Sequence, residues 1–151
     1  MTIIAAIASS VIGIITIAVA MVISKHMSHL PSMTHPWLGR LNIILMYCGG
    51  SVLAAAGLGS VAARAVGWAT TTVGGQYAGL INAAVVILAL FMLAGTVVAL
   101  IWAPSPSAAL TAIVVPIVLA MVAGGFIHQV YVATTIPGQA LAASVSAWLA
   151  G

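Results

Sequence analysis

The sequence contains no aspartate and no glutamate, and its only lysine and arginine residues are Lys25, Arg40 and Arg64. Without side-chain carboxylates, the chain cannot build a calcium or magnesium cage, a carboxylate proton relay or a catalytic pair of carboxyl groups. Within the chain, a basic side chain can find an acidic partner only in the C-terminal carboxylate. These absences exclude many classes of enzyme and ion carrier.

Cysteine is almost absent as well, because Cys48 is the only one. A lone cysteine forms no disulfide within its chain, and its apolar surroundings predict a small core residue. The sequence also lacks a phosphate-binding glycine loop, a paired-cysteine metal motif and the basic stripe of a nucleic-acid-binding protein. No carboxylate is present to orient a histidine toward a serine or threonine. We therefore expect no catalytic residue, no cofactor, no enzymatic activity and no nucleic-acid partner.

What the sequence does contain is hydrophobic, since 64% of its residues are apolar and only 2% are charged. An ordinary soluble domain has about 25% charged residues, which cover its surface. Lipid is therefore expected to be the solvent for most of this chain. We predict an all-α, polytopic membrane protein with a single membrane domain, four transmembrane helices and a short C-terminal amphipathic helix. The transmembrane helices are predicted at residues 3–23, 38–60, 80–102 and 108–131, and the interfacial helix at 139–150.

The first apolar run, at 3–23, would be about 30 Å long as a helix, which matches the hydrocarbon core of a bilayer. No positive charge precedes it, so we predict a retained helix rather than a cleaved signal peptide. Pro36 suits the first turn of the second helix, and Trp37 would then lie at the water–lipid boundary.

The turn between the last two predicted helices carries a capping signal. Ser105 is expected to cap the fourth helix, with Pro106 at its first position, so that the third and fourth helices form an antiparallel hairpin. Residues 61–79 are predicted to be a connector, which either follows the second helix directly or first continues it through Arg64, and which breaks at Gly67, at Thr70–Thr72 and at the Gly74–Gly75 pair.

Small residues concentrate in the second predicted helix and continue into the connector. Such residues let helix backbones approach closely, so this helix is expected at the centre of the bundle or at a subunit interface. The candidate helix-packing residues are Gly49, Gly50, Ala54, Gly57, Gly75 and Gly79.

The basic residues and Trp37 are the candidates for contact with lipid or with a partner. Arg64 lies among apolar residues, and its side chain either reaches the headgroup phosphates or contacts an anion or a partner's carboxylate. Lys25 and Arg40 flank the first loop, whereas Arg64 alone lies in the connector. The positive-inside rule then places the 25–39 loop in the cytoplasm and both termini outside.

Histidine and methionine cluster between the first two predicted helices. Imidazole and thioether groups suit copper, particularly Cu(I), so one hypothesis is a copper site at the membrane surface. The favoured alternative is a solvated loop whose histidines carry charge near the headgroups, because the spacing matches no known metal signature. The candidate metal ligands are His26, Met27, His29, Met33 and His35.

Our leading functional hypothesis is a non-enzymatic subunit that oligomerises in the bilayer as a structural or pore-forming element. In size and number of helices the chain resembles holins and the small proteins of conjugation and secretion machinery. The alternative is an accessory subunit of a larger hetero-oligomeric respiratory or transport complex, whose other chains would supply carboxylates. A copper-handling membrane protein ranks third. The alanine-, valine- and glycine-rich composition is compatible with a GC-rich bacterial source, and we expect the chain in the cytoplasmic membrane.

Overall fold

The computed structural model describes residues 3–26, 35–73, 75–102, 104–122, 129, 131–136, 139–140, 143–144 and 147. Regular structure in these residues is helical throughout, without a strand, which confirms the predicted all-α class for this part of the chain. A π-helical segment, Ala54–Leu58, joins the second helix to the third. The helices are α1 (Ile3–His26), α2 (His35–Leu53), α3 (Gly59–Val73), α4 (Gly75–Ile101) and α5 (Pro106–Met121).

Two helical stretches are long and apolar enough to cross a membrane. They are Pro36–Val73, which combines α2, the π-helical segment and α3, and Tyr77–Ile101 within α4. The apolar helices Ser10–His26 and Ser107–Met121 are shorter. Length and composition therefore support two of the four predicted spans, and the other two stay predictions.

The hairpin of α4 and α5 forms as its local sequence predicts. Ser105 has extended backbone angles and its hydroxyl accepts a hydrogen bond from the Ala108 amide at 3.2 Å, so it caps α5. Ala89 of α4 belongs to a buried cluster with Val115, Val118 and Leu119 of α5. Leu100 of α4 packs against the cluster that contains Ala109 and Ala112 of α5. Later residues of α4 thus meet earlier residues of α5, and the two helices are antiparallel.

The predicted break at Gly67 and Thr70–Thr72 is wrong, because α3 continues through Val73. The threonines keep their hydroxyls within the helix. Thr70 donates to the Gly67 carbonyl at 2.8 Å and Thr72 to the Trp68 carbonyl at 2.8 Å. Hydroxyls that bond the preceding turn in this way do not require the backbone to leave the helix.

The helical stretch is interrupted earlier, at Gly57, where φ is 138° and ψ is −23°. Glycine adopts this conformation without the steric penalty of a Cβ atom. The 38 residues of Pro36–Val73 would measure roughly 57 Å as one straight helix, nearly twice the ~30 Å hydrocarbon core. The break at Gly57 divides this length into two helices of different direction.

The predicted fourth helix also ends early, at Met121 rather than at residue 131. The next residue, Val122, has an extended conformation with φ −84° and ψ 106°, which takes the backbone out of the helix. Residues 123–128 lie outside the described part of the chain, and residues 131–136 are helical again. Of the interfacial helix predicted at 139–150, residues 139–140, 143–144 and 147 are described, and all five are helical.

The core lies around α5, which packs against α2, α3 and α4. Its contact face is made mostly of small or branched side chains that are at most 5% exposed. On its other side α2 packs against α1. The helix expected at the centre, α2, therefore shares that place with α5. The buried apolar residues of α5 are Ala109, Ala112, Val115, Val118 and Leu119.

Candidate functional site

Two adjacent glycines of α2 let it contact a different helix on each side. A Cβ atom on Gly49 would lie 2.6 Å from the Ile17 side chain and 3.2 Å from the Gly13 carbonyl of α1. A Cβ atom on Gly50 would overlap the backbone of Ile113 in α5. These residues therefore contribute to packing within the chain.

The other small residues named from the sequence have different surroundings. Ala54 is buried beside them at the start of the π-helical segment. Gly57 forms the break in the helical stretch, and a Cβ atom there would meet nothing within 4 Å. Gly75 and Gly79 are exposed on α4, again with nothing within 4 Å, so neither contributes to packing in the described part of the chain.

Helix α4 is apolar around its whole circumference. Yet only 11% of the residues in its apolar, membrane-length stretch are buried. The core helix of a soluble protein with such a composition would be enclosed by protein. Ala89 and Thr96 mark the face that packs inward. The opposite face carries large residues at helical spacing, from 58% to 78% exposed, which we name the α4 outer stripe: Leu80, Ile87, Phe91 and Val98.

Aromatic residues lie at both ends of α4. Tyr77 is 50% exposed near its start and Trp102 is 84% exposed just after its end. These residues are 25 positions apart, or about 37 Å along a helix, which is close to the distance between the two interfaces of a bilayer. Trp68 and Trp37 are also exposed, on α3 and at the start of α2. Tyrosine and tryptophan side chains favour the membrane–water interface.

Arg40 binds the carboxyl end of α4. Its Nε donates to the Leu100 carbonyl at 3.0 Å, and a terminal nitrogen donates to the Ile101 carbonyl at 3.0 Å. The last carbonyls of a helix have no intrahelical partner and carry partial negative charge, which a guanidinium neutralises. No basic residue of α4 lies in its own last turn. Arg40 thus has a partner within the chain, which the sequence did not reveal because the contact spans 60 residues.

The remaining basic residues are exposed. Lys25 lies at the end of α1 and Arg64 lies on α3, and neither side chain bonds another described residue. The Nδ1 atom of His26 is 2.9 Å from the Val22 carbonyl in its own helix. The end of the molecule that carries Lys25 and Arg40 also carries the α4–α5 turn.

The predicted copper ligands fall mostly outside the described residues. Met27, His29 and Met33 are among the residues that the structure does not describe, and for His35 only the backbone is described. His26 is exposed. Among the described residues, no three histidine or cysteine side chains come together.

An apolar cavity of about 250 Å³ lies between α2, α4 and the helical residues 131–136. From α2 it is lined by Ile43, Ile44, Tyr47 and Cys48. These positions follow Arg40 at the spacing of a single helix face, so the guanidinium lies at one end of the cavity.

The α4 wall of the cavity consists of Leu93, Thr96, Val97 and Leu100. The only hydroxyl on this wall is directed away, because Thr96 donates it to the Met92 carbonyl at 2.9 Å. Thr134 completes the lining near Tyr47. The interior is therefore almost entirely hydrocarbon.

Two buried polar atoms have no hydrogen-bond partner among the described residues, the Asn42 Oδ1 and the Tyr47 hydroxyl. The Tyr47 hydroxyl faces Thr134 without reaching good hydrogen-bond geometry. Burial of an unpaired polar group costs about 1–3 kcal/mol. Neither residue is among the candidates from the sequence. A polar side chain on the packed face of an otherwise apolar helix is the pattern that could have indicated them.

No protein family, no curated protein and no solved structure matches the chain.

Proposed function

We propose that the protein is a multi-pass membrane protein of four transmembrane helices that acts, without catalysis, as an oligomerising structural subunit of a membrane assembly. The observation that carries this proposal is the exposure of α4. This helix is apolar on all sides, and only 11% of the residues in its apolar, membrane-length stretch are buried. Such a surface is stable against lipid or against another apolar helix, and not against water.

The α4 outer stripe is the surface that we assign to contact between copies. Phe91 is 78% exposed at its centre, and Ile87 is 66% exposed one turn earlier. The opposite face of α4 is already occupied by α5. Contact between outer stripes of two copies would bury large side chains without disturbing the packing of either chain.

For topology, we propose that the 25–39 loop lies in the cytoplasm of a bacterial cell and that both termini lie outside. Lys25 and Arg40 lie at the same end of the molecule, since Gly13 of α1 lies beside Leu53 of α2 and Ile17 lies beside Gly49, so the end of α1 meets the start of α2. Two positive charges at one end support this orientation under the positive-inside rule.

The test is the mass of the protein extracted in mild detergent and measured by native mass spectrometry. A homo-oligomer is expected, and the double substitution Ile87→Ala and Phe91→Ala should shift it toward monomer. Leu110→Ala, on an exposed position of α5, is the matched control and should leave the mass unchanged. A monomer at every protein concentration would contradict the proposal. Conductance across a planar bilayer then separates a pore-forming oligomer from a scaffold.

A second candidate is an accessory subunit of a hetero-oligomeric complex, and Arg64 favours it. This guanidinium is exposed, and the whole chain contains no carboxylate side chain to pair with it. A carboxylate on another subunit would satisfy it. Purification from native membranes should then recover other polypeptides, and Arg64→Gln should weaken their retention. Recovery of the chain with itself alone would favour the homo-oligomer.

A further inference from the structure

We propose that the cavity beside Arg40 binds one anionic phospholipid, with the phosphate on the Arg40 guanidinium and part of one acyl chain inside the cavity. This inference rests on the membrane embedding proposed above. It does not rest on the oligomeric state of the protein.

The phosphate position follows from the geometry of Arg40. Two of its five N–H donors bond the carbonyls of Leu100 and Ile101, which holds the guanidinium at the end of α4. Three donors remain, on an exposed group whose planar fork suits phosphate oxygens. No side-chain carboxylate of the chain can compete for them.

The depth of Arg40 agrees with that of a lipid headgroup. Trp37 precedes it by one turn and is 65% exposed, and Trp102 follows the bonded carbonyls and is 84% exposed. Both are residues typical of the membrane–water interface. Basic pockets between helices at this depth are known to suit anionic headgroups.

The acyl chain position follows from the cavity. Its volume of about 250 Å³ is below the ~300–1,000 Å³ of pockets for drug-sized ligands, so it suits a flexible chain better than a bulky ring system. Its lining offers water almost no polar partner. Ile44 and Val97 line it and are each almost half exposed, so the cavity opens sideways between α2 and α4 toward the surrounding lipid.

The two halves of this site are continuous. From Arg40 to Cys48 the face of α2 advances about 12 Å, from the interface toward the middle of the membrane. A phospholipid has the same polarity along its length, with the phosphate at the interface and the chain below it. The experiments below distinguish this lipid from two other occupants. A zwitterionic lipid would fill the cavity but carries no net charge, and a side chain from a second copy would fill it but brings no phosphate.

The first experiment measures lipid retention by native mass spectrometry in detergent, with dioleoyl phosphatidylglycerol and dioleoyl phosphatidylcholine as probes. One phosphatidylglycerol per chain should be retained at an about tenfold lower lipid concentration than phosphatidylcholine, as expected for charge-assisted hydrogen bonds. Arg40→Gln should abolish this preference. Arg64→Gln removes the same charge from an unbonded position and should leave it intact. Equal retention of the two lipids by the unmodified protein would overturn the proposal.

The second experiment fills the cavity and leaves Arg40 in place, so it stands even if Arg40→Gln prevents folding. Val97→Phe should remove the retained lipid, because Val97 lines the cavity. Val114→Phe is the matched control, since Val114 is 42% exposed on α5 and lies outside both the cavity lining and the α4 outer stripe. Equal retention by the two variants would contradict the site.

The oligomer mass, read in the same spectra, separates this proposal from the previous one. If a monomer retains the lipid, the proposal of an oligomer is overturned and the proposal of a lipid site is supported. A dimer that holds no lipid and dissociates on Val97→Phe would overturn the lipid site, because the cavity would then hold part of a second copy.

Discussion

The adjacent helices α4 and α5 are similar in composition and opposite in environment. Both are strongly apolar and neither contains a charged residue. Yet α5 is buried along most of one face, whereas α4 exposes most of its surface. Apolar content therefore does not determine which helix of this protein forms the core.

The size of the side chains explains the difference. The buried positions of α5 include Ala109 and Ala112, which let neighbouring backbones approach, and Ala89 has the same role on the inner face of α4. The largest side chains of α4 point outward, as Phe91 shows. In lipid, helices associate through close packing of small residues, because exposed large side chains are already in an apolar solvent.

The largest effect is expected from a leucine placed at a glycine that packs against α5. Gly50→Leu should prevent the folded state from forming, because even a Cβ atom there would overlap the backbone of Ile113, and overpacking alone costs about 1–3 kcal/mol or more. Gly79→Leu places the same side chain on α4, where nothing lies within 4 Å, and should be neutral. Unfolding in mixed micelles, followed by circular dichroism, compares the two. Equal destabilisation by the two variants would mean that α4 at Gly79 is as enclosed as the contact between α2 and α5 at Gly50.

The next effect concerns a leucine on each helix. Leu119 is fully buried in α5, and Leu119→Ala should lower the free energy of unfolding by about 2–4 kcal/mol through the cavity that it leaves. Leu80 is 69% exposed on α4, and Leu80→Ala should cost under about 0.5 kcal/mol. The same unfolding measurement applies. A cost for Leu80→Ala that approaches that of Leu119→Ala would contradict the comparison.

A smaller effect is expected where α4 ends. Arg40→Gln removes the charge that binds the last carbonyls and should cost about 1 kcal/mol after allowance for solvent screening. Arg40→Lys should recover part of this, since it keeps the charge and loses the planar pair of donors. Arg64→Gln should change the free energy of unfolding by less than about 0.5 kcal/mol. If Arg64→Gln were the more damaging variant, Arg64 would have a partner that this chain does not supply.

The smallest effect is expected where α5 begins. Ser105→Ala removes the hydroxyl that accepts the Ala108 amide and should cost about 0.5–1 kcal/mol. Ser105→Asn retains a capping oxygen and should be close to neutral. Thermal unfolding of the two variants in the same detergent would measure the difference. A Ser105→Asn variant as unstable as Ser105→Ala would indicate that the turn, and not the cap, limits stability.

Local signals in the sequence predicted the parts of the fold that depend on neighbouring residues. The start of α2 beside Pro36 and the cap at Ser105 are of this kind. The predicted break at Gly67 and Thr70–Thr72 is wrong, because glycine and threonine are equally plausible breakers in a sequence, whereas Gly74 of the third predicted break lies outside the described residues. Only the structure shows that Thr70 bonds its own helix while Gly57 takes a positive φ.

The candidate site could be predicted only in fragments. The sequence indicates Arg40 as a candidate for contact with lipid or with a partner, but its contact with Leu100 depends on how α2 and α4 pack. The cavity has the same origin, since Tyr47 and Leu93 line one space only in the assembled bundle. Tertiary packing of this kind leaves no periodic pattern in the sequence.

The contact between Arg40 and α4 also bears on the order in which the protein is made. The carbonyls that receive the guanidinium lie 60 and 61 residues further along the chain. During synthesis α2 is complete well before the end of α4 exists, and domains and helices emerge in chain order. Throughout that interval Arg40 has neither these carbonyls nor a carboxylate to bond. Arg40 therefore gains these two hydrogen bonds only once α4 has been made and has packed against α2.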